Sequence, residues 1–159
     1  SQNSLYFGDE VDCVFRVHVR PGNTVLIPTG WIHAVHTPKD SLVFGGNFLS
    51  SANLALQLKI QALEIRTGVP RKFQFPYFTE ICWYVAADLV RKSEEESKDH
   101  LSKHVLQPVH GLSLLSQFLS SRLRKESSKI PREVEDPCRI LQVLNELCTA
   151  PSEVAKNSA

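Results

Sequence analysis

Ile27-Pro28-Thr29-Gly30-Trp31-Ile32-His33-Ala34-Val35 is the stretch on which the reading of the chain turns. Proline fixes φ at about −65° and glycine is favoured at the close of a type I turn, so Ile27 to Gly30 reads as a turn between two strands. Trp31 to Thr37 then runs on as a β-branched and aromatic segment, the composition of an extended strand. Successive side chains on a strand alternate faces, which puts His33 with Trp31 and Val35 and turns His36 the other way. The two histidines are therefore not a chelating pair.

Outward from this turn the texture stays β-like. Ser4 to Phe7 reads as a short strand, and Val11 to Val19 as a better one, with Val11, Cys13, Phe15, Val17 and Val19 alternating against Asp12, Arg16 and His18. Arg20-Pro21-Gly22-Asn23 is a turn signal, Thr24 to Ile27 starts the return strand, and Thr37-Pro38-Lys39-Asp40 turns into a last strand over Ser41 to Leu49. Short strands at close spacing with Pro and Gly turns point to a barrel or jelly roll. Gly45-Gly46 inside the last strand implies a bulge.

From Ser50 onward the composition becomes helical. Asn53 to Arg66 has the Ala, Leu, Gln, Lys and Glu content of a helix with Leu54, Leu58, Ala62 and Ile65 as its apolar stripe, Ser51 or Asn53 as cap and Gly68 as terminator. A second helix opens at Pro76, with Phe78, Ile81, Cys82, Val85 and Leu89 at helical spacing. Arg91 to Gln107 reads as a solvated linker or exposed helix end. A third helix spans about Gly111 to Lys125 with Leu112, Leu115, Phe118, Leu119 and Leu123 on one side, and a fourth begins at Asp136-Pro137 and carries Ile140, Leu141, Leu144 and Leu147.

Composition narrows the function classes. With 159 residues and 42% hydrophobic content the chain is long enough for a sizeable core, and a net charge of +1 gives no overall field to draw in nucleic acid or a membrane. The four cysteines, Cys13, Cys82, Cys138 and Cys148, form no C-x-x-C pair and mostly occupy apolar periodic positions, which suits a reducing compartment. No charged and apolar leader opens the chain and no run approaches the roughly 18 apolar residues of a membrane span, so a soluble, unsecreted protein is expected. Starting at Ser1 and lacking methionine, it reads as a piece of a longer sequence.

Few residues carry chemistry by pattern alone. A single histidine such as His33 is more often a core or surface residue than a ligand. His100 and His104 are four apart but lack the glutamate of H-E-x-x-H and lie in a polar stretch, where a solvated face is the better account. The aromatic group Phe73, Phe75, Tyr77, Phe78, Trp83 and Tyr84 has no interleaved basic stripe and reads as core; Arg71-Lys72 and Arg122 to Lys125 read as helix-end charges. No phosphate loop, serine nucleophile motif or dinucleotide fingerprint is present.

Longer motifs are more specific. Phe7-Gly8-Asp9-Glu10-Val11-Asp12, the Ile27 to Val35 stretch, and Ser41-Leu42-Val43-Phe44-Gly45-Gly46-Asn47-Phe48-Leu49 resemble the C-terminal half of the JmjC domain in histone lysine demethylases. Leu56-Gln57-Leu58-Lys59-Ile60, Arg71-Lys72-Phe73 and Ile81-Cys82-Trp83-Tyr84-Val85 are most similar to the F-box and CXXC-finger subgroup, the JmjC histone demethylation protein 1 type.

The resemblance implies a mainly β then α fold, the C-terminal half of a double-stranded β-helix of the jelly-roll, cupin-like kind followed by helices. Together with composition it divides the chain into C-terminal JmjC strands over 1–50 and JmjC-associated helices over 51–92, while the Ser, Glu and Lys content and the helical spacing give a polar linker over 93–109, a helical extension over 110–150 and a frayed tail over 151–159. It also implies a nuclear dioxygenase using Fe(II), 2-oxoglutarate and O₂ to demethylate histone H3, lysine 36 preferred, with release of formaldehyde. Its partner is the H3 tail or nucleosome; any DNA contact would come from domains outside this chain.

In that reading His33 matches the distal histidine of a two-histidine, one-carboxylate iron site, and Asn47 and Ile32 match residues beside the methyl-lysine and the iron. The H-x-D pair and the 2-oxoglutarate residues of the family lie upstream, and no H-x-D or H-x-E occurs between Ser1 and His33, so the isolated chain is expected to be inactive. Two alternatives stand beside it: a non-catalytic JmjC chromatin scaffold, and a JmjC hydroxylase of unmethylated protein side chains.

Overall fold

Local signals place the helices of the computed structural model, which describes residues 5–98 and 111–149. Helix α1 runs Leu54–Thr67, α2 Phe78–Lys98, α3 Leu112–Leu123 and α4 Pro137–Thr149, with single 3-10 turns at Phe7–Asp9, Ser51–Asn53, Arg71–Phe73 and Ser127–Lys129. Gly68 ends α1 with φ +71°, and its N–H and that of Val69 bond back to the carbonyls of Ile65 and Glu64 at 3.2 and 2.9 Å, a Schellman closure. Asp136 caps α4, accepting the Arg139 N–H on Oδ1 at 2.9 Å, and Pro137 takes the first helical position.

The four helices share one core. Leu54 and Leu58 of α1, Phe78, Cys82, Trp83, Ala86, Leu89 and Val90 of α2, Leu115 and Leu119 of α3, and Ile140, Leu141 and Leu144 of α4 are buried together with Val134. Each large aliphatic or aromatic side chain among them stabilises the fold by about 1.5–3 kcal/mol. α1 and α3 run side by side in the same direction: Gly111 lies against Ala55, and farther along Leu58 and Ala62 share a cleft with Leu114 and Phe118. α4 closes the bundle across α2 and α3.

The mainly β first half predicted from the alternation is not what folds. Among the described residues there is no strand, and every regular element is a helix or a 3-10 turn. Val11 to Leu49 holds no regular element, and its backbone hydrogen bonds to other described residues are only turn closures, Asn23 N–H to Arg20 O at 3.0 Å and Trp31 N–H to Pro28 O at 3.1 Å. A strand persists only when its N–H and C=O groups pair along a neighbour and one face is covered. Here both faces lie open, with Phe15 73%, Val35 81% and Phe44 90% exposed. Among the described residues an irregular arm leading into a helical bundle stands where the double-stranded β-helix was expected, and the expected bulge at Gly45-Gly46 has no ladder to interrupt.

Smaller departures follow from packing. The central turn sits one residue later than read, with Gly30 at its third position and φ +74°, the left-handed value that a type II turn demands there. α1 buries Leu54, Gln57, Leu58 and Gln61, whereas Ala62 and Ile65 of the expected stripe face outward. Asn53 holds the cap position of α1 without a side-chain bond. Of the aromatic group, Phe78 and Trp83 are core and Phe75 packs against it, while Phe73, Tyr77 and Tyr84 are exposed. Only Cys82 of the four cysteines is buried. His100, His104 and the tail from residue 150 lie outside the described residues.

Candidate functional site

The arm meets the bundle at the central turn. Thr29 Oγ1–H donates to Gln57 Oε1 at 2.9 Å, and Gly30 lies against Ile60, where a β-carbon would stand 3.0 Å from Cδ1. Gln57 is 7% exposed, so its amide is held in the bundle and presents one carbonyl to the turn. Leu49 packs on the core at the other end of the arm. Neither Thr29 nor Gln57 stands out in the sequence; the one signal is a glutamine between Leu54 and Leu58 at a position whose spacing belongs to the buried face.

Four residues beyond Thr29, His33 is exposed and its Nδ1 lies 2.9 Å from the carbonyl oxygen of Trp31. A carbonyl oxygen can only accept, so this contact takes a proton on Nδ1, and in that tautomer of the neutral ring the lone pair is on Nε2. That is the arrangement in which an imidazole binds a metal, one nitrogen oriented by a backbone acceptor and the other free to ligate. Ile32 and Asn47 are exposed on the same arm, and no described hydrogen bond links Asn47 to His33. Among the described residues no three His, Cys, Asp or Glu side chains gather in a way that could hold a metal ion.

Polar links also brace the bundle itself. Glu126 accepts from Thr79 Oγ1 at 3.3 Å and pairs with Lys129 at 2.9 Å and with Arg122, joining the start of α2 to the loop after α3. Burial pushes the Glu126 carboxyl up, but Lys129 and Arg122 outweigh it and hold it below the ordinary range. Tyr84 OH donates to Glu133 Oε2 at 2.7 Å, and Arg139 of α4 pairs with Glu94 of α2 at 2.8 Å. No helix among the described residues is long and apolar enough to cross a membrane.

A helical bundle carrying an irregular, histidine-bearing arm is the architecture to set beside known proteins. The chain belongs to the Jumonji helical domain family, which it matches over residues 52–150. Its relatives place it with the JmjC histone demethylases, as the motif resemblance implied. It is 40% identical over 150 residues to the histone lysine demethylase PHF8 of Danio rerio, covering 92% of this chain and 14% of that one. It is 52% identical over 84 residues to lysine-specific demethylase 2A of Xenopus tropicalis (53% of this chain, 7% of that one). To the JmjC domain-containing histone demethylation protein 1 of Cryptococcus neoformans it is 54% identical over 85 residues (54% and 10%). Even the relatives matched over most of this chain are far longer, and it spans only 14 to 24% of their length. No solved structure matches it.

Proposed function

We propose that this chain is part of a nuclear histone lysine demethylase that uses Fe(II), 2-oxoglutarate and O₂ on methylated histone H3, with lysine 36 as preferred site. In this reading His33 is one iron ligand, and Asn47 and Ile32 lie against the methyl-lysine and the metal. The observation that supports it most is the His33 ring, whose Nδ1 stands 2.9 Å from the Trp31 carbonyl oxygen, a contact that orients the ring and leaves Nε2 as the nitrogen available to a metal. The relatives' names support the same activity.

The fit is to one donor of the three that such a site uses. With no H-x-D or H-x-E between Ser1 and His33, the remaining donors must come from other parts of the polypeptide. Iron with its cosubstrates, when bound, supplies the oxidation of an N-methyl group that ends in formaldehyde. The residues of this chain supply a directed imidazole and, through Asn47, an amide for the substrate. The H3 tail is the partner, and contacts to DNA belong to other domains.

The test is His33→Ala in the complete protein, assayed on an H3 peptide methylated at lysine 36. Turnover should fall at least about a hundredfold with a melting temperature close to that of the parent, since an exposed side chain on the arm supports little packing. Near-normal turnover would remove His33 from the metal site.

A further inference from the structure

We propose that Ser127, in the 3-10 turn between α3 and α4, is a phosphorylation site for a protein kinase that reads basic residues N-terminal to its serine, and that the phosphate draws Lys129 away from Glu126. The site is independent of His33 and of the arm.

Ser127 and its neighbour Ser128 are exposed and lie outside the four α-helices, whereas Ser120 and Ser121 are built into α3 and Ser116 is buried. Two backbone bonds close the turn, Lys129 N–H to Glu126 O at 2.9 Å and Ile130 N–H to Ser127 O at 3.2 Å, and none of its three residues is buried. Breaking those two bonds is enough to hand the segment to a kinase cleft. Between Arg122 and Arg132 the chain carries five cations and one carboxylate. That carboxylate, Glu126, is neutralised in place by Arg122 and Lys129. Arg124 and Lys125, just upstream of Ser127, are exposed and make no ion pair with a described residue, which leaves both charges to an acidic kinase cleft.

In the reaction the γ-phosphoryl group of Mg·ATP passes to Ser127 Oγ. The new O–P bond forms as the bond to the β-phosphate oxygen breaks, ADP leaves, and the hydroxyl proton goes to a carboxylate base of the kinase. The product carries a charge of about −2 near neutral pH and three acceptor oxygens, two residues from Lys129. A dianion competes for the Lys129 ammonium better than the single charge of Glu126, which holds it at 2.9 Å in the unmodified chain. Because Glu126 also accepts from the Thr79 hydroxyl at 3.3 Å, the exchange reaches the start of α2.

The experiment treats the complete, folded protein with Mg·ATP and the catalytic subunit of the cyclic-AMP-dependent protein kinase, a probe that reads arginine three residues before its serine. A peptide of residues 120–132 serves as the unstructured reference, and mass spectrometry maps the phosphate. Ser127 should be modified in the folded protein within about tenfold of the peptide's rate, since only a surface turn has to open. Arg124→Ala should slow Ser127 at least about tenfold, the loss of one charge-assisted contact, and Ser128→Ala should leave it unchanged. No phosphate at Ser127 of the folded protein, whether or not the peptide accepts it, overturns the site, and so does a phosphate on Ser128 in its place. An Arg124→Ala protein modified as fast as the parent overturns recognition through the upstream cations. Phosphorus NMR then follows the resonance that Ser127→Ala lacks: its second ionisation should fall below the ordinary value of about 6 and return toward it in Lys129→Ala. An ordinary value in the parent overturns the transfer of Lys129 from Glu126.

Discussion

Gly111, the residue before α3, lies so close to Ala55 of α1 that a β-carbon on it would stand 2.8 Å from the Ala55 Cα and backbone nitrogen. Its φ of +108° is a value that only glycine adopts without strain. The parallel approach of α1 and α3 depends on this contact, and with it the burial of Leu54 and Leu115. Gly111→Ala should destabilise the chain by about 3 kcal/mol, combining overpacking against backbone with a strained dihedral. A urea midpoint lowered accordingly at unchanged slope is the expected result.

Two carboxylates give opposite pH responses. Glu126 is held below the ordinary value of 4.5 by Lys129 and Arg122 against the effect of burial. Its stabilisation is therefore present above the unfolded value and is lost as the pH falls through the folded one. Glu126→Gln should flatten the decline of melting temperature below about pH 4.5 and lower the melting temperature at about pH 7. Glu64 is raised by burial, and its Oε2 has no partner among the described residues. Its ionised form is penalised in the folded state, a cost that disappears on acidification, so Glu64→Gln should raise the melting temperature at about pH 7 and change it little at about pH 3.

Cysteine reactivity should divide cleanly. Burial pushes the Cys82 thiol up to about 12, and the side chain is 0% exposed in the core. Cys13, Cys138 and Cys148 are exposed. Alkylation of the native chain at about pH 8 should label these three and spare Cys82, which reacts only in denaturant. Mass spectrometry of intact protein before and after unfolding checks the count.

Asn47 separates the structural from the chemical account of the arm. It makes no hydrogen bond to a described residue, and a β-carbon at Gly45 or Gly46 would meet nothing within 4 Å. Asn47→Ala should therefore shift stability by no more than about 0.5 kcal/mol. If Asn47 lines the methyl-lysine pocket as proposed, the same change in the complete protein lowers turnover of methylated H3 peptide at least about tenfold while affinities for the metal and for 2-oxoglutarate stay near the parent values. Unaltered peptide kinetics would overturn the proposed substrate role of Asn47.

What the sequence by itself determined was local. Gly68 as a left-handed stop, Asp136-Pro137 as a capped start, the leucine spacing of α3 and the turn at Arg20 to Asn23 all act through residues within a few positions of one another, so no distant partner is needed to read them. The bond of His33 to the Trp31 carbonyl spans two positions, yet it was not read from the sequence, which placed His33 on a strand. Tertiary structure alone decided which face of α1 is buried, because Leu56, Ala62 and Ile65 make that helix apolar on more than one side and only the packing of the bundle selects Leu54, Gln57, Leu58 and Gln61. It also decided the fate of the arm: alternation from Val11 to Val19 states a capacity to pair, but pairing needs a second strand, and none is present among the described residues. The Thr29–Gln57 bond, spanning 28 positions, exists only once the bundle has brought α1 beneath the turn.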